Sequence, residues 1–172
     1  MSLFQEALAW IEPAIVSYGA FALFLIIYFE SFGVPLPGES ALIAAALLAA
    51  RGDLAIVHVF LAAWMGGVLG DSTGYLIGRF GGRLLLQRFG SLVKLTPERL
   101  ANVEAMARKR GFVMVLTARF VVLLRQLNGL VAGSVGMPWS HFVVANALGA
   151  SLWAGFWTFG PYLFTDLFHK MV

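Results

Sequence analysis

The sequence has no cysteine, which excludes disulfides and thiolate metal sites and leaves the redox compartment unreadable. Charge is also scarce: Asp, Glu, Lys and Arg make up 12% of the chain, against roughly a quarter in soluble domains. With 60% hydrophobic residues and a mean hydropathy of +0.84, the composition is that of an integral membrane protein. No Lys or Arg precedes Arg51, and the opening residues carry Glu6 and Glu12. The basic start of a secretory signal is therefore missing, and the N-terminus is expected to be retained. No metal site and no cofactor are expected.

What is present are long uncharged runs. Ala14 to Phe29 carries no charge, and Leu54 to Gly78 carries only Asp71, lengths on the scale of a hydrocarbon core. The net charge of +3 does not point to nucleic acid, because the basic residues gather in one segment. From Arg79 to Arg110 eight Lys and Arg stand against Glu98 and Glu104, a net +6, which the positive-inside rule places in the cytoplasm. Within it, Thr96-Pro97-Glu98 reads as an N-cap with proline at the first helical position, starting a surface helix to about Arg108.

Inside the apolar stretch lies ESFGVPLPGES, Glu30 to Ser40. Proline locks φ, removes a donor and disfavours helix in the residue before it, so Pro35 and Pro37 interrupt any helix here. Ala41 to Ala50 then makes a helix of roughly 15 Å, half a bilayer core, which cannot span alone. If the break lies outside the bilayer, its glutamates are simply solvated. If it lies at membrane depth, the freed backbone must face a protein-lined cavity, and the short helix favours this second reading. Glu39 in the first turn is stabilised by the helix dipole by about 0.3–1 kcal/mol, which capping alone explains. Glu30, after sixteen uncharged residues, has no such explanation and marks a candidate site.

The second half resembles the first. Phe112 to Leu124 is again short and ends at Arg125, and Asn128-Gly129 is the expected break. At an offset of 83, His58 to Gly70 lies on His141 to Trp153 with four identities, at His58, Ala62, Gly66 and Leu69. The expected fold is therefore an all-α membrane protein built as an inverted repeat. Each half is a re-entrant broken-helix hairpin followed by a full transmembrane helix, Leu54 to Phe80 and Trp139 to about Phe164. One domain covers 1–172, with repeats at about 14–80 and 111–165 and the basic loop at 81–110.

Arg119 and Arg125 are the only formal charges from Gly111 through Thr165. Under the offset, positions 36–42 map onto 119–125, so the arginines bracket the place that Glu39 holds in the other half. Hairpins meeting tip to tip set carboxylates against guanidiniums, as a structural ion pair or as a substrate site. Lone buried pairs are rarely a net gain in stability, and a guanidinium fork matches phosphate oxygens. Arg119 and Arg125 are thus candidate phosphate ligands, with Glu30 and Glu39 balancing charge or carrying protons. Gly66, Gly70, Gly74 and Gly78 form a small-residue face for close helix contact. Asp71, Tyr75 and Arg79 lie on a neighbouring stripe as supporting residues. There Asp71 is expected to pair with Arg79 or Tyr75, and Arg79 to reach the cytoplasmic surface. Pro35, Pro37, Gly38, Asn128 and Gly129 are the structural break positions. His58 and His141 are expected at the interface, and Trp10, Trp139, Trp153 and Trp157 as anchors or core.

Several motifs together resemble those of the DedA family, also called the VTT or SNARE-associated domain family. They are Phe29-Glu30, Pro35-Leu36-Pro37-Gly38-Glu39, Gly70-Asp71-Ser72-Thr73-Gly74-Tyr75 with Gly78-Arg79 and Gly81-Gly82, Arg119-Phe120 with Arg125, and Ala132-Gly133. The chain departs from the family pattern at Val122 and Gly129, where members often carry proline. The resemblance implies a lipid translocase of the cell membrane, flippase- or scramblase-like, moving undecaprenyl phosphate or phospholipid with dependence on the proton motive force. It also implies that the functional acidic pair falls on Glu30 and Glu39 and the arginine pair on Arg119 and Arg125. The expected partners are a membrane lipid and protons. Two alternatives stand: a proton-coupled transporter of a small ion or solute, and a non-transporting membrane scaffold. No nucleophile-base set appears, so an enzyme is not expected.

Overall fold

A computed structural model of the chain describes residues 18–89 and 97–171, and every regular element among them is helical. The order is α1 Ala20–Ser31, α2 Gly38–Ala50, α3 Ile56–Phe89, α4 Pro97–Ala118, α5 Val122–Ser134 and α6 Trp139–Met171. Among the described residues two stretches are long and apolar enough to cross a membrane, Ile56–Gly82 within α3 and Trp139–Phe164 within α6. Many large apolar side chains lie outside, Phe80, Phe21 and Phe156 among them, while Asp71, Arg119 and Arg125 are buried. That inversion suits a hydrocarbon surround, in which charges must find their partners inside the protein.

The first break falls where the prolines predict, between Ser31 and Gly38, and α2 begins directly after Pro37. Both 13-residue helices then end alike. The Gly52 N–H bonds the Ala49 carbonyl and the Asp53 N–H bonds that of Leu48; likewise Gly136 bonds Gly133 and Met137 bonds Ala132. This is the Schellman motif, and it needs a left-handed residue at its hinge. Gly52 and Gly136 supply it with φ of 88° and 71°. These two glycines stand 84 positions apart, and α3 and α6 begin 83 apart. The offset of 83 seen in the residue pattern is therefore matched by the starts of α3 and α6 and, to within one residue, by the two glycines.

Other boundaries differ from expectation. The second break is not at Asn128-Gly129, which lies inside α5, but at Arg119-Phe120-Val121. The Phe120 and Val121 amides close tight turns onto Thr117 and Ala118, and Val121 is extended. Asn128 stays helical because its amide donates to the Val115 carbonyl at 3.1 Å. Gly129 stays helical because its bare Cα lies against the Asp71 backbone of α3. The expected surface helix and the first arm of the second half are one helix, α4, so the basic segment is largely helical rather than a loop. Trp10, Thr96 and the start of the first repeat, 14–17, lie outside the described residues.

Helix α3 is the centre of the packing, because glycines let its neighbours approach to backbone contact. A Cβ on Gly66 or Gly70 would strike the Phe24 or Tyr28 carbonyl of α1, and one on Gly78 would strike the Leu130 carbonyl of α5. In return, Gly129 and Gly133 of α5 lie on the Asp71 and Tyr75 carbonyls. Elsewhere the core is ordinary: Leu23, Ile27, Ala41, Leu42, Val59 and Trp153 join α1, α2, α3 and α6. Trp64 ties α3 to α6 by donating to Ser151 Oγ at 2.9 Å.

Candidate functional site

Two buried acid–base clusters lie at the helix breaks. In the first, α1 ends with Glu30, 4% exposed, and the prolines turn the chain so that α2 brings Glu39 back beside it. Gly38 lies against the Glu30 carboxylate, so a Cβ there would displace that side chain. Arg125, in the first turn of α5, meets both acids through one nitrogen: Nη2 donates to Glu30 Oε1 at 2.9 Å and lies 3.6 Å from Glu39 Oε1. Its guanidinium carbon sits 4.5 Å from the Trp153 ring centroid, a cation–π contact from α6. The Glu39 side chain is 35% exposed while those of Glu30 and Arg125 are enclosed, so the cluster opens to the outside at Glu39.

The second cluster is closed. Arg119, in the second break, donates from Nη1 to Asp71 Oδ2 and Asn146 Oδ1, both at 2.5 Å. The Asn146 amide continues to the Val68 carbonyl at 3.2 Å. Gly67 of α3 lies against Arg119 Nη2, and Gly149 of α6 against its Cδ, so the side chain threads between two helices where neither has a side chain of its own. Among the described residues, the Nε of each arginine and one oxygen of Asp71 find no hydrogen-bond partner.

The structure therefore brings Glu30, Glu39 and Arg125 together and sets Arg119 apart from them, with Asp71. Asp71 does not pair with Arg79 or Tyr75, because burial between α3, α6 and the second break leaves Arg119 as its counter-charge. Tyr75 instead donates to the Met137 carbonyl at 2.5 Å and stacks on Phe142 at 4.7 Å, while Arg79 is exposed. His58 and His141 are exposed, and Trp153 is core rather than an interface anchor. Asn146, Gly67 and Gly149 were not picked out by sequence reasoning. Asn146 had a signal: it is the one side-chain amide in the apolar run Phe142 to Trp153. Tyr75→Phe strands a buried carbonyl, and thermal unfolding in detergent should show a loss of about 1–3 kcal/mol.

A VTT domain matches residues 36–163. The chain is 42% identical over 137 residues to an uncharacterized membrane protein of Synechocystis, covering 80% of this chain and 63% of that one. An uncharacterized membrane protein of Mycobacterium tuberculosis is 38% identical over 154 residues, covering 87% and 70%. An alkaline phosphatase-like protein of Lactococcus lactis is 30% identical over 141 residues, covering 79% and 66%. The chain thus spans about two thirds of the length of these relatives. No solved structure matches it. With the domain match running from the first helix break to the end of the second membrane-length helix, the chain belongs to the VTT-domain, or DedA, family of membrane proteins.

Proposed function

We propose that this protein moves a phosphate-bearing lipid, a polyprenyl phosphate or a phospholipid, across the cell membrane. In this reading α1–α2 and α4–α5 are re-entrant hairpins of an inverted repeat, and α3 and α6 are the spanning helices. The observation that carries it is the arrangement at Arg125, where two carboxylates share one guanidinium nitrogen and one of them, Glu39, is open to the outside. A phosphate entering at Glu39 takes the remaining nitrogens of Arg125 as a fork, its apolar chain staying in lipid. Arg119, committed to Asp71 and Asn146, takes no part in holding the phosphate.

With both glutamates ionised, the cluster of Glu30, Glu39 and Arg125 carries one net negative charge. An anion is admitted more readily when one carboxylate takes up a proton, and by reciprocity the bound anion favours that proton. Proton coupling follows from this charge balance. The test is lipid movement in reconstituted vesicles, with and without an imposed pH gradient. Losing one charge-assisted hydrogen bond, about 1.5–3 kcal/mol, slows movement by roughly ten- to a hundredfold in Arg125→Ala. Glu39→Gln abolishes the response to the gradient. Wild-type rates in both folded variants would sink the proposal. Water-soluble headgroup analogues that move as well as full lipids favour a solute transporter. The name of the Lactococcus relative, an alkaline phosphatase-like protein, favours a second reading, phosphate-ester hydrolysis, which release of inorganic phosphate from the same vesicles would reveal.

A further inference from the structure

Between α4 and α5 runs a cavity of about 360 Å³ that neither acid–base cluster uses. Met114 and Ala118 of α4 and Leu124 and Val131 of α5 line it, and Gly111 and Met137 close one end. Its walls are almost wholly apolar, since the Asn128 amide on the lining donates to the Val115 carbonyl. The lips open outward, with Leu124, Leu127 and Val131 exposed. From Leu124 to Val135 the lining advances roughly 16 Å at 1.5 Å per residue, one leaflet's share of a core about 30 Å thick.

The two ends differ. One end, at Leu124, lies beside the second break. The other, at Gly111 and Met137, lies where the membrane-length stretch of α6 begins at Trp139, and three exposed cations stand around it. Lys109 and Arg110 immediately precede Gly111, and Arg79 Nη1 lies 3.0 Å from where a Gly136 Cβ would stand, between two residues of the lining. A greasy groove one leaflet deep with a cationic mouth at the membrane boundary is complementary to one kind of molecule, an anionic headgroup on an apolar chain.

We infer that this groove seats one chain of an acidic phospholipid from the leaflet on the basic side, with its phosphate at Arg79, Lys109 and Arg110. The site is separate from the cluster at Arg125 and rests on membrane embedding alone, not on transport. The test is native mass spectrometry of the purified full chain with equal amounts of phosphatidylglycerol and phosphatidylcholine. Wild type should retain phosphatidylglycerol preferentially. R79Q, K109Q and R110Q should each lower that preference by about fivefold, and the triple variant should abolish it. Val131→Trp, which fills the groove, should lower retention of both lipids; Leu124→Trp, at an exposed position on the same lining, replaces it if that variant fails to fold. Soluble glycerol phosphate should not compete. Unchanged preference in the triple variant, or wild-type lipid retention in the groove-filling variant, overturns the inference. So does disulfide capture of a second copy through Leu127→Cys in lipid vesicles with no lipid displaced.

Discussion

Replacing Arg119 by leucine lowers stability by roughly 3–5 kcal/mol, the largest loss expected from any single change at the site. The cause is the carboxylate left behind. Asp71 and Asn146 are fully enclosed, and Arg119 Nη1 is the donor to both. Without it, Asp71 is an ion in a dry interior with no counter-charge, and the Asn146 carbonyl loses its donor. Asp71→Leu should cost a similar amount by stranding the guanidinium. The double variant Arg119→Leu with Asp71→Leu should recover more than half of either loss, because replacing both partners of a buried pair by apolar groups is often close to neutral. Arg125→Leu strands the enclosed Glu30 carboxylate in the same way and should also be costly, the loss eased only by the partly exposed Glu39 beside it. Thermal and denaturant unfolding in detergent measures all four. A single Arg119 variant as stable as wild type would show that water reaches Asp71.

Gly129→Ala and Gly155→Ala are the same chemical change with opposite expected signs. In an exposed helix interior, alanine is better than glycine by about 0.8–1.0 kcal/mol. A Cβ at Gly155 meets nothing within 4 Å, so that variant should gain up to this amount. At Gly129 the same atom strikes the Asp71 carbonyl and lies 2.9 Å from the Tyr75 nitrogen. Both are backbone atoms of α3 and cannot swing aside. Helix α5 must retreat, at a cost of about 1–3 kcal/mol or more, and Arg125 is carried away from Glu30 with it. Gly129→Ala should therefore lose both stability and lipid movement. A stable but inactive Gly129→Ala protein would show that the helices separate at little cost and that the site depends on their spacing.

Proline chemistry made the first break readable: Pro35 and Pro37 stop a helix whatever surrounds them. The second break carries neither proline nor glycine, so local propensity could not place it. Arg119, Phe120 and Val121 leave the helix because the arginine side chain threads between Gly67 and Gly149 toward Asp71, a tertiary demand with no local signature. Asn128-Gly129 misled for the complementary reason. Its glycine serves contact between helices rather than a turn, and sequence spacing alone cannot separate the two uses. The charged residues were legible as a set because charges in an apolar run must find partners. Their pairing was not. Which acid meets which arginine depends on the crossing of α3, α5 and α6, and only Asn146, polar in an apolar helix, hinted that α6 takes part.

The glycine contacts along α3 also have a mechanical side. Helices that interdigitate large side chains are indexed like gears, because ridges sit in grooves and a shift must climb out of one and into the next. Where bare Cα atoms lie on carbonyls, as at Gly66, Gly70, Gly78, Gly129 and Gly133, there are no teeth to disengage. Such a seam resists parting, since close backbone approach maximises dispersion contact, yet it offers little purchase against sliding along the axis. The charged clusters are then the detents of this fold: they fix where along the central rail the two broken helix pairs come to rest.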